Sequence, residues 1–301
     1  MTSVVAKHPS YVAIPQDTAN DLTVLEFLSD KYPQIGKAQW LKRMTEGKVH
    51  WQDKTLITTD NLCRPTARVY YYREVEQETP IPFKEQIIFE NDNILVVNKP
   101  HFLPVAPGGK YINECLVSRL RASTGIETIT PAHRLDKDTA GLILLTKRPE
   151  IRAIYHNLFR DGAIKKRYQA FARVPAETQQ QFDLQGKLHW TVKNRLQKSN
   201  PSFVMEIVEG EPNSHSEISL LEINEGIGRF ELEPVTGKTH QLRMHMMSLG
   251  MPILNDAFYP KLKDKEKPDF HNPLKLIAYK LSFIDPLTDQ AISFDRTSLV
   301  P

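Results

Sequence analysis

Between residues 22 and 44 apolar positions recur at helical spacing: Leu22, Leu25 and Leu28, then Trp40, Leu41 and Met44. This predicts two short helices separated at Tyr32-Pro33. Gly47-Lys48-Val49-His50-Trp51 reads as a turn into a short strand, and Ala67 to Tyr72 as another strand. Residues 1–20 show little periodicity and predict a loosely held arm. Glu78-Thr79-Pro80-Ile81-Pro82 places two prolines in three residues, which favours an extended linker. Beyond it, strand-like runs cover Asn93 to Asn98, Leu142 to Leu145, Tyr168 to Val174, Ile218 to Ile223 and Phe230 to Pro234. A helix is predicted from Pro149 to Phe159, with Ile151, Ile154, Tyr155, Leu158 and Phe159 on one face and Asp161-Gly162 ending it. A second is predicted over Thr239 to Leu249, stopped by Gly250. Strand runs interrupted by single helices imply an α+β fold with a mixed, mainly antiparallel sheet. The expected division is an arm at 1–20, a small α/β module at 21–78 and a large domain at 83–301.

Composition narrows the class. The 301 residues are 40% hydrophobic and 25% charged, the balance of an ordinary globular chain. No run approaches the roughly 18 apolar residues of a membrane span, and the first residues lack a signal peptide's apolar core. Cys63 and Cys115 are too few for a disulfide framework or a Cys-rich zinc site, so a reduced, cytoplasmic setting is expected. The net charge of +3 decides little, but its distribution is informative. Lys187, Lys193, Arg195 and Lys198 occur without an intervening acid, and Arg160, Lys165, Lys166, Arg167 and Arg173 gather around Tyr168 against Asp161 alone. Such clusters suit either a solvated face or phosphate contacts.

The most informative stretch is Pro131-Ala132-His133-Arg134-Leu135-Asp136-Lys137-Asp138-Thr139-Ala140-Gly141-Leu142. It sets a carboxylate just ahead of an apolar strand, which is costly unless cations or hydrogen bonds compensate it. His133, Arg134, Lys137 and Thr139 are the nearest candidates. Asp136 is then either a turn residue capping its own backbone or a charged nucleophile.

His-Arg-Leu-Asp, two variable residues, Thr, a small residue and Gly resembles the signature of the RluA family of RNA pseudouridine synthases. Ala163-Ile164-Lys165-Lys166-Arg167-Tyr168-Gln169-Ala170 resembles that family's Lys-x-Tyr strand. Thr236-Gly237-Lys238-Thr239-His240-Gln241-Leu242-Arg243-Met244-His245, then Leu249 to Ile253, Asp256 and Tyr259, resembles its third motif. Asn93 to Pro100 resembles the strand and Asn-Lys-Pro turn that open the catalytic domain. The four matches are spread over residues 83–301. The chain departs from the pattern at Lys238 (usually Arg), Ala140 (usually Ser), Ala106, Ile277 and Asp285 (each commonly His).

The resemblance implies a pseudouridine synthase fold, with Asp136 as nucleophile, Tyr168 stacked on the target base and Arg243 as the basic partner of Asp136. Substrate contacts are expected from Arg134, whose guanidinium would fill the stack vacated by the flipped base, and from His133, Thr139, Lys166, Lys238 and His240. Residues 21–78 resemble a small RNA-binding module known from a ribosomal protein, which would turn Lys37, Lys42, Arg43 and Lys48 toward RNA; a helix pair with no RNA role is the alternative. The implied partner is structured RNA, ribosomal or transfer. The isomerisation is redox-neutral, so no cofactor is expected. Nor is a metal: His240 and His245 are five apart, not the four of a helical zinc site. A monomer is expected. Two rival readings are a glycosidase pairing Asp136 with Asp138, and an RNA-binding protein without catalysis.

Overall fold

The computed structural model describes residues 4–263 and 268–296, which divide into two compact units. The first comprises residues up to Pro80 together with Pro107–Glu114. Its elements are β1 (Val4–Val5), β2 (Ser10–Ala13), α1 (Val24–Lys31), α2 (Lys37–Thr45), β3 (Val49–His50), β4 (Arg68–Tyr71) and β5 (Glu74–Val75). A reciprocal cap starts α1: Glu26 N–H donates to Thr23 Oγ1 at 3.2 Å, and Thr23 N–H donates to Glu26 Oε2 at 3.0 Å. The apolar faces of both helices, with Trp40 at the centre, pack on Val12, Val49, Val69 and Tyr71 of a sheet ordered β2-β4-β3.

Two expectations are corrected in this unit. The expected loose arm contributes two short strands: β1 pairs with β5, β2 pairs with β4, and Ile14 is buried. Short strands of two and four residues are too brief to display a period, so the pattern concealed them. Arg43, expected to face RNA, lies three residues after Trp40 on the same helix face and is buried, with its guanidinium 4.9 Å from the Trp40 ring and 3.7 Å from Glu74. Lys48 is ion-paired to Glu46 at 2.5 Å and Glu74 at 3.2 Å, and Lys42 approaches Glu46 at 3.9 Å.

The second unit, Ile81–Ala106 with the chain from Cys115 onward, is built on one large sheet. Its elements are β6 (Gln86–Glu90), β7 (Ile94–Lys99), α3 (Leu116–Thr124), β8 (Thr130–Pro131), β9 (Ala140–Thr146), α4 (Arg152–Arg160, entered through a 3₁₀ turn at Pro149–Ile151), β10 (Lys165–Arg173), α5 (Ala176–Gln185), β11 (Leu188–Lys198), β12 (Met205–Val208), β13 (Ser214–Asn224), β14 (Ile227–Pro234), α6 (Gln241–Ser248), β15 (Leu276–Ile284) and β16 (Ala291–Asp295). The order is β12-β11-β13-β14-β10-β15-β9-β7-β6, with β16 added to β15 and β8 to β9. Every pairing is antiparallel except β15 with β9.

Central β9 is buried at every position, which explains its unbroken apolar run. At its start Gly141 has φ 116°, and a Cβ there would stand 2.2 Å from the Ala278 carbonyl oxygen of β15. Only glycine permits this crossing, which aims the preceding loop. Tyr155 of α4 is buried and donates to Asp285 at 3.1 Å; Ile154, expected on the same face, is turned outward. Asp285 also accepts the Leu287 N–H at 2.9 Å, so this carboxylate ends β15 rather than taking a histidine's place in a site.

Candidate active site

Asp136 sits in the loop between β8 and β9, its side chain 31% exposed. The loop is tied from beneath. Lys99, at the end of β7, is fully buried, and its ammonium donates to the carbonyls of Pro100 (2.9 Å), Leu103 (2.8 Å) and Lys137 (3.0 Å). His101 holds the Asp138 carbonyl at 2.7 Å. The backbone on the C-terminal side of Asp136 is therefore anchored at two successive carbonyls. Burial draws the Lys99 amine down to about 7, against the opposing pull of Asp138 and Asp136. No sequence pattern points to these partners, because a backbone carbonyl carries no side-chain signature. Lys99→Met is expected to lower the midpoint of urea unfolding: one buried carbonyl, Leu103, and two part-buried ones, Pro100 and Lys137, lose a donor, the buried one at ~1–3 kcal/mol. An unchanged midpoint would show the clamp to be dispensable.

Around Asp136 opens a cleft of about 670 Å³, lined by His133, Arg134, Thr139, Lys166, Tyr168, Lys238, His240 and Arg243 among others. The structure thus brings together every site residue anticipated in the large domain. Asp138 does not line the cleft, and its carboxylate lies 3.7 Å from the Lys137 ammonium.

Arg243 differs from expectation in its geometry. Its Nε and Nη2 make a bidentate bond to Asp256 at 2.7 and 2.6 Å, not to Asp136. Asp256 is itself buried and held by the N–H groups of Phe258 and Tyr259 at 2.8 and 3.1 Å. The rings of Phe258 and Tyr259 flank the guanidinium at 4.7 and 5.2 Å. Fixed in this way, Arg243 presents Nη1 to Asp136 Oδ2 at 3.7 Å, an ion-pair distance longer than a hydrogen bond. Asp256 as the anchor was missed: it lies in a loop 13 residues beyond Arg243, where no periodicity links the two.

His240 enters α6 in the left-handed region, φ 53°. Tyr259 Oη accepts the Met205 N–H at 2.8 Å, so its own proton goes to His240 Nδ1, also 2.8 Å away. Burial lowers the His240 pKa, and the neutral ring carries its proton on Nε2, 3.9 Å from Asp136 Oδ2. Tyr168 is buried on β10, its hydroxyl pKa raised by burial and by the charge of Asp136. Thr139 is buried behind the loop and closes it through its N–H to the Asp136 carbonyl at 3.2 Å. Arg134 and Lys238 are exposed at the cleft, while half-buried Lys166 has its pKa lowered by burial. Gln241, quoted in the motif but given no role there, ties the turn before α6: its side chain accepts from Thr236 Oγ1 (2.7 Å) and Lys238 N–H (3.0 Å) and donates to the His215 carbonyl (2.9 Å).

His133 stacks on Phe159 at 4.2 Å and accepts the Leu144 N–H on Nε2 at 3.1 Å; burial holds its pKa down at about 3. His245, buried on α6, shares Nε2 with Asn194 and Ser214 at 3.0 Å each, and burial lowers it to about 4. Both histidines fold neutral, whereas in the unfolded chain they take up protons near 6.5. The unfolded state therefore binds more protons from pH 6.5 down to about 4 on account of His245 and down to about 3 on account of His133. The stability these rings contribute is complete above pH 6.5 and declines as pH falls through that window. Denaturation midpoints across this range should show the decline, and His245→Gln should reduce its slope. Equal slopes for the two proteins would remove His245 from the account.

Among the described residues no group of three or more His, Cys, Asp or Glu side chains is arranged to hold a metal, and no helix is long and apolar enough to cross a membrane. A sequence model for the family described as RNA pseudouridylate synthase matches residues 93–248. The dual-specificity RNA pseudouridine synthase RluA of Pasteurella multocida is 32% identical over 215 residues, covering 69% of this chain and 90% of the relative. The ribosomal large subunit pseudouridine synthase C of Haemophilus influenzae is 31% identical over 217 residues, 71% of this chain and 65% of that one. The structure of human RNA pseudouridylate synthase domain containing 1 superposes with a TM-score of 0.57 at 21% identity, covering 73% of this chain and 85% of the human chain, which speaks to the fold.

Proposed function

Because this chain belongs to the RluA family of RNA pseudouridine synthases, we propose that it isomerises particular uridines of structured ribosomal or transfer RNA, with Asp136 as the nucleophile. The observation that carries this reading is the meeting of Asp136, Tyr168 and Arg243 in one cleft. The target uridine leaves its stack, because no side chain reaches the glycosidic bond within a helix. Arg134 fills the gap, and Tyr168 packs against the extruded uracil. Asp136 forms a bond to the uridine, the N1–C1′ bond breaks, the uracil turns, a C5–C1′ bond forms, and the bond to Asp136 breaks to return the free carboxylate. The proton on C5 is lost and N1 gains one, so no group or electron is consumed and no cofactor is called for.

Arg243 and the Nε2–H of His240 face the Asp136 carboxylate and orient it toward the uridine. Lys166 and Lys238 neutralise phosphates beside the target, while His133 and Thr139 shape the loop. The module at 21–78 adds RNA affinity, and the enzyme works as a cytoplasmic monomer without a metal. The test is pseudouridine mapping of total RNA from cells with and without the gene, repeated with purified protein on the same RNA. Sites that vanish without the gene and return in vitro support the reading. Identical maps, with no product in vitro, would sink it.

A further inference from the structure

The sheet of the first unit has two unlike faces. Along β2, β4 and β3 the inward positions Val12, Val69, Tyr71 and Val49 enter the core, and alternation turns Tyr11, Ala13, Arg68, Tyr70 and His50 to the other side. The register sets Tyr11 and His50 on either side of Tyr70. The Tyr11 and Tyr70 centroids are 5.5 Å apart, and His50 stacks on Tyr70 at 5.5 Å with only 5° between the ring planes. Tyr72 adds a ring 5.9 Å from His50. The Arg68 guanidinium lies 4.9 Å from the centre of Tyr11, whose residue is 56% exposed.

Within this row His50 is buried and Tyr70 half-buried, whereas Tyr11 and Arg68 are exposed, so the open part of the face is its Tyr11–Arg68 edge beside Tyr70. Its composition identifies the occupant. The outward positions of the three strands hold rings and a cation, no acid and no Leu, Ile, Val or Met. An apolar protein partner would call for aliphatic anchors and an acidic surface would repel phosphate, whereas stacked rings with an arginine suit bases on a charged backbone. On the helix side Lys37 is exposed, but Arg43 is buried, Lys48 is ion-paired and Lys42 lies 3.9 Å from Glu46, and among the described residues no exposed ring accompanies them to stack a base. We propose that this face is a stacking platform for unpaired bases of a single-stranded RNA segment, with Tyr11 and Tyr70 as the stacking rings and Arg68 as the phosphate or base contact. The inference rests on RNA being the substrate. It moves the module's RNA contact from the helix to the sheet.

The experiment uses the full chain and fluorescein-labelled oligouridine. Tyr11→Leu and Tyr70→Leu should each weaken binding about tenfold, the effect of losing one stacked base, while Tyr11→Phe retains it. Oligouridine carrying 5-iodouridine should photo-crosslink to Tyr11 or Tyr70. Tyr11 is the decisive position if Tyr70→Leu fails to fold, since an exposed ring can be removed with little effect on the core. Wild-type affinity in Tyr11→Leu, or crosslinks confined to residues beyond Pro80, would overturn the platform. Absence of pseudouridine in any RNA treated with the wild-type chain would instead count against the catalytic reading, and is measured separately from oligouridine binding.

Discussion

Asp136→Asn is expected to reduce single-turnover pseudouridine formation by on the order of 10³-fold or more, the scale seen when a nucleophile is removed. The folded state should be almost unaffected. Among the described residues the carboxylate has no hydrogen-bond partner, only the looser approaches of Arg243 at 3.7 Å and His240 at 3.9 Å. Asparagine keeps the volume and loses the charge. RNA affinity should persist, because the exposed cations Arg134 and Lys238 remain beside the cleft. Asp138→Asn is the matched comparison: its side chain does not line the cleft, although its charge acts on Lys99, His240 and Arg243, so its rate should fall far less than that of Asp136→Asn. Product formed at an undiminished rate by folded Asp136→Asn would remove Asp136 from the chemistry, and an equal defect in Asp138→Asn would overturn its assignment as the lone nucleophile.

That prediction could be written from the motif, but its control could not. Legibility followed how local each physical cause was. β9 was visible because a strand buried on both faces must be apolar throughout, and α1, α2 and α4 because each packs at least one apolar residue inward. Helix α5 buries nothing, so it has no stripe to read. Strand β11 alternates inward Leu188, Val192 and Leu196 with outward His189, Lys193 and Arg195, but buried aliphatics fall only at every fourth position, with half-buried Trp190 and Asn194 between them, so no period of two shows. Arg43 was misassigned because its charge outweighed its spacing from Trp40, although that spacing is what buries it. Within the cleft the residue types were legible and the anchoring bonds were not. Lys99 holds backbone carbonyls, and Asp256 reaches Arg243 across a loop.

The Arg243–Asp256 bond alters what Arg243→Met should do. Had the guanidinium fork held Asp136 directly, the substitution would free a partly exposed carboxylate and leave stability intact. Instead it leaves Asp256 buried with its strongest partner gone, a loss of about 3–5 kcal/mol for a broken buried pair. The Phe258–Tyr259 turn depends on the same carboxylate through two N–H bonds, and Tyr259 in turn sets the tautomer of His240. One substitution should therefore lower the unfolding midpoint and the single-turnover rate at saturating RNA together. A companion change separates the two effects. Asp256→Asn added to Arg243→Met removes the stranded charge, so much of the stability should return while the rate does not, because Asp136 still lacks its cation. Lys238→Met provides the opposite contrast: exposed at the cleft, it should leave the midpoint unchanged, weaken binding, and reduce the salt dependence by about one phosphate contact. Recovery of both stability and rate in the double variant would mean that Arg243 serves the fold alone, and a chemical defect confined to Lys238→Met would move the cation role to that position.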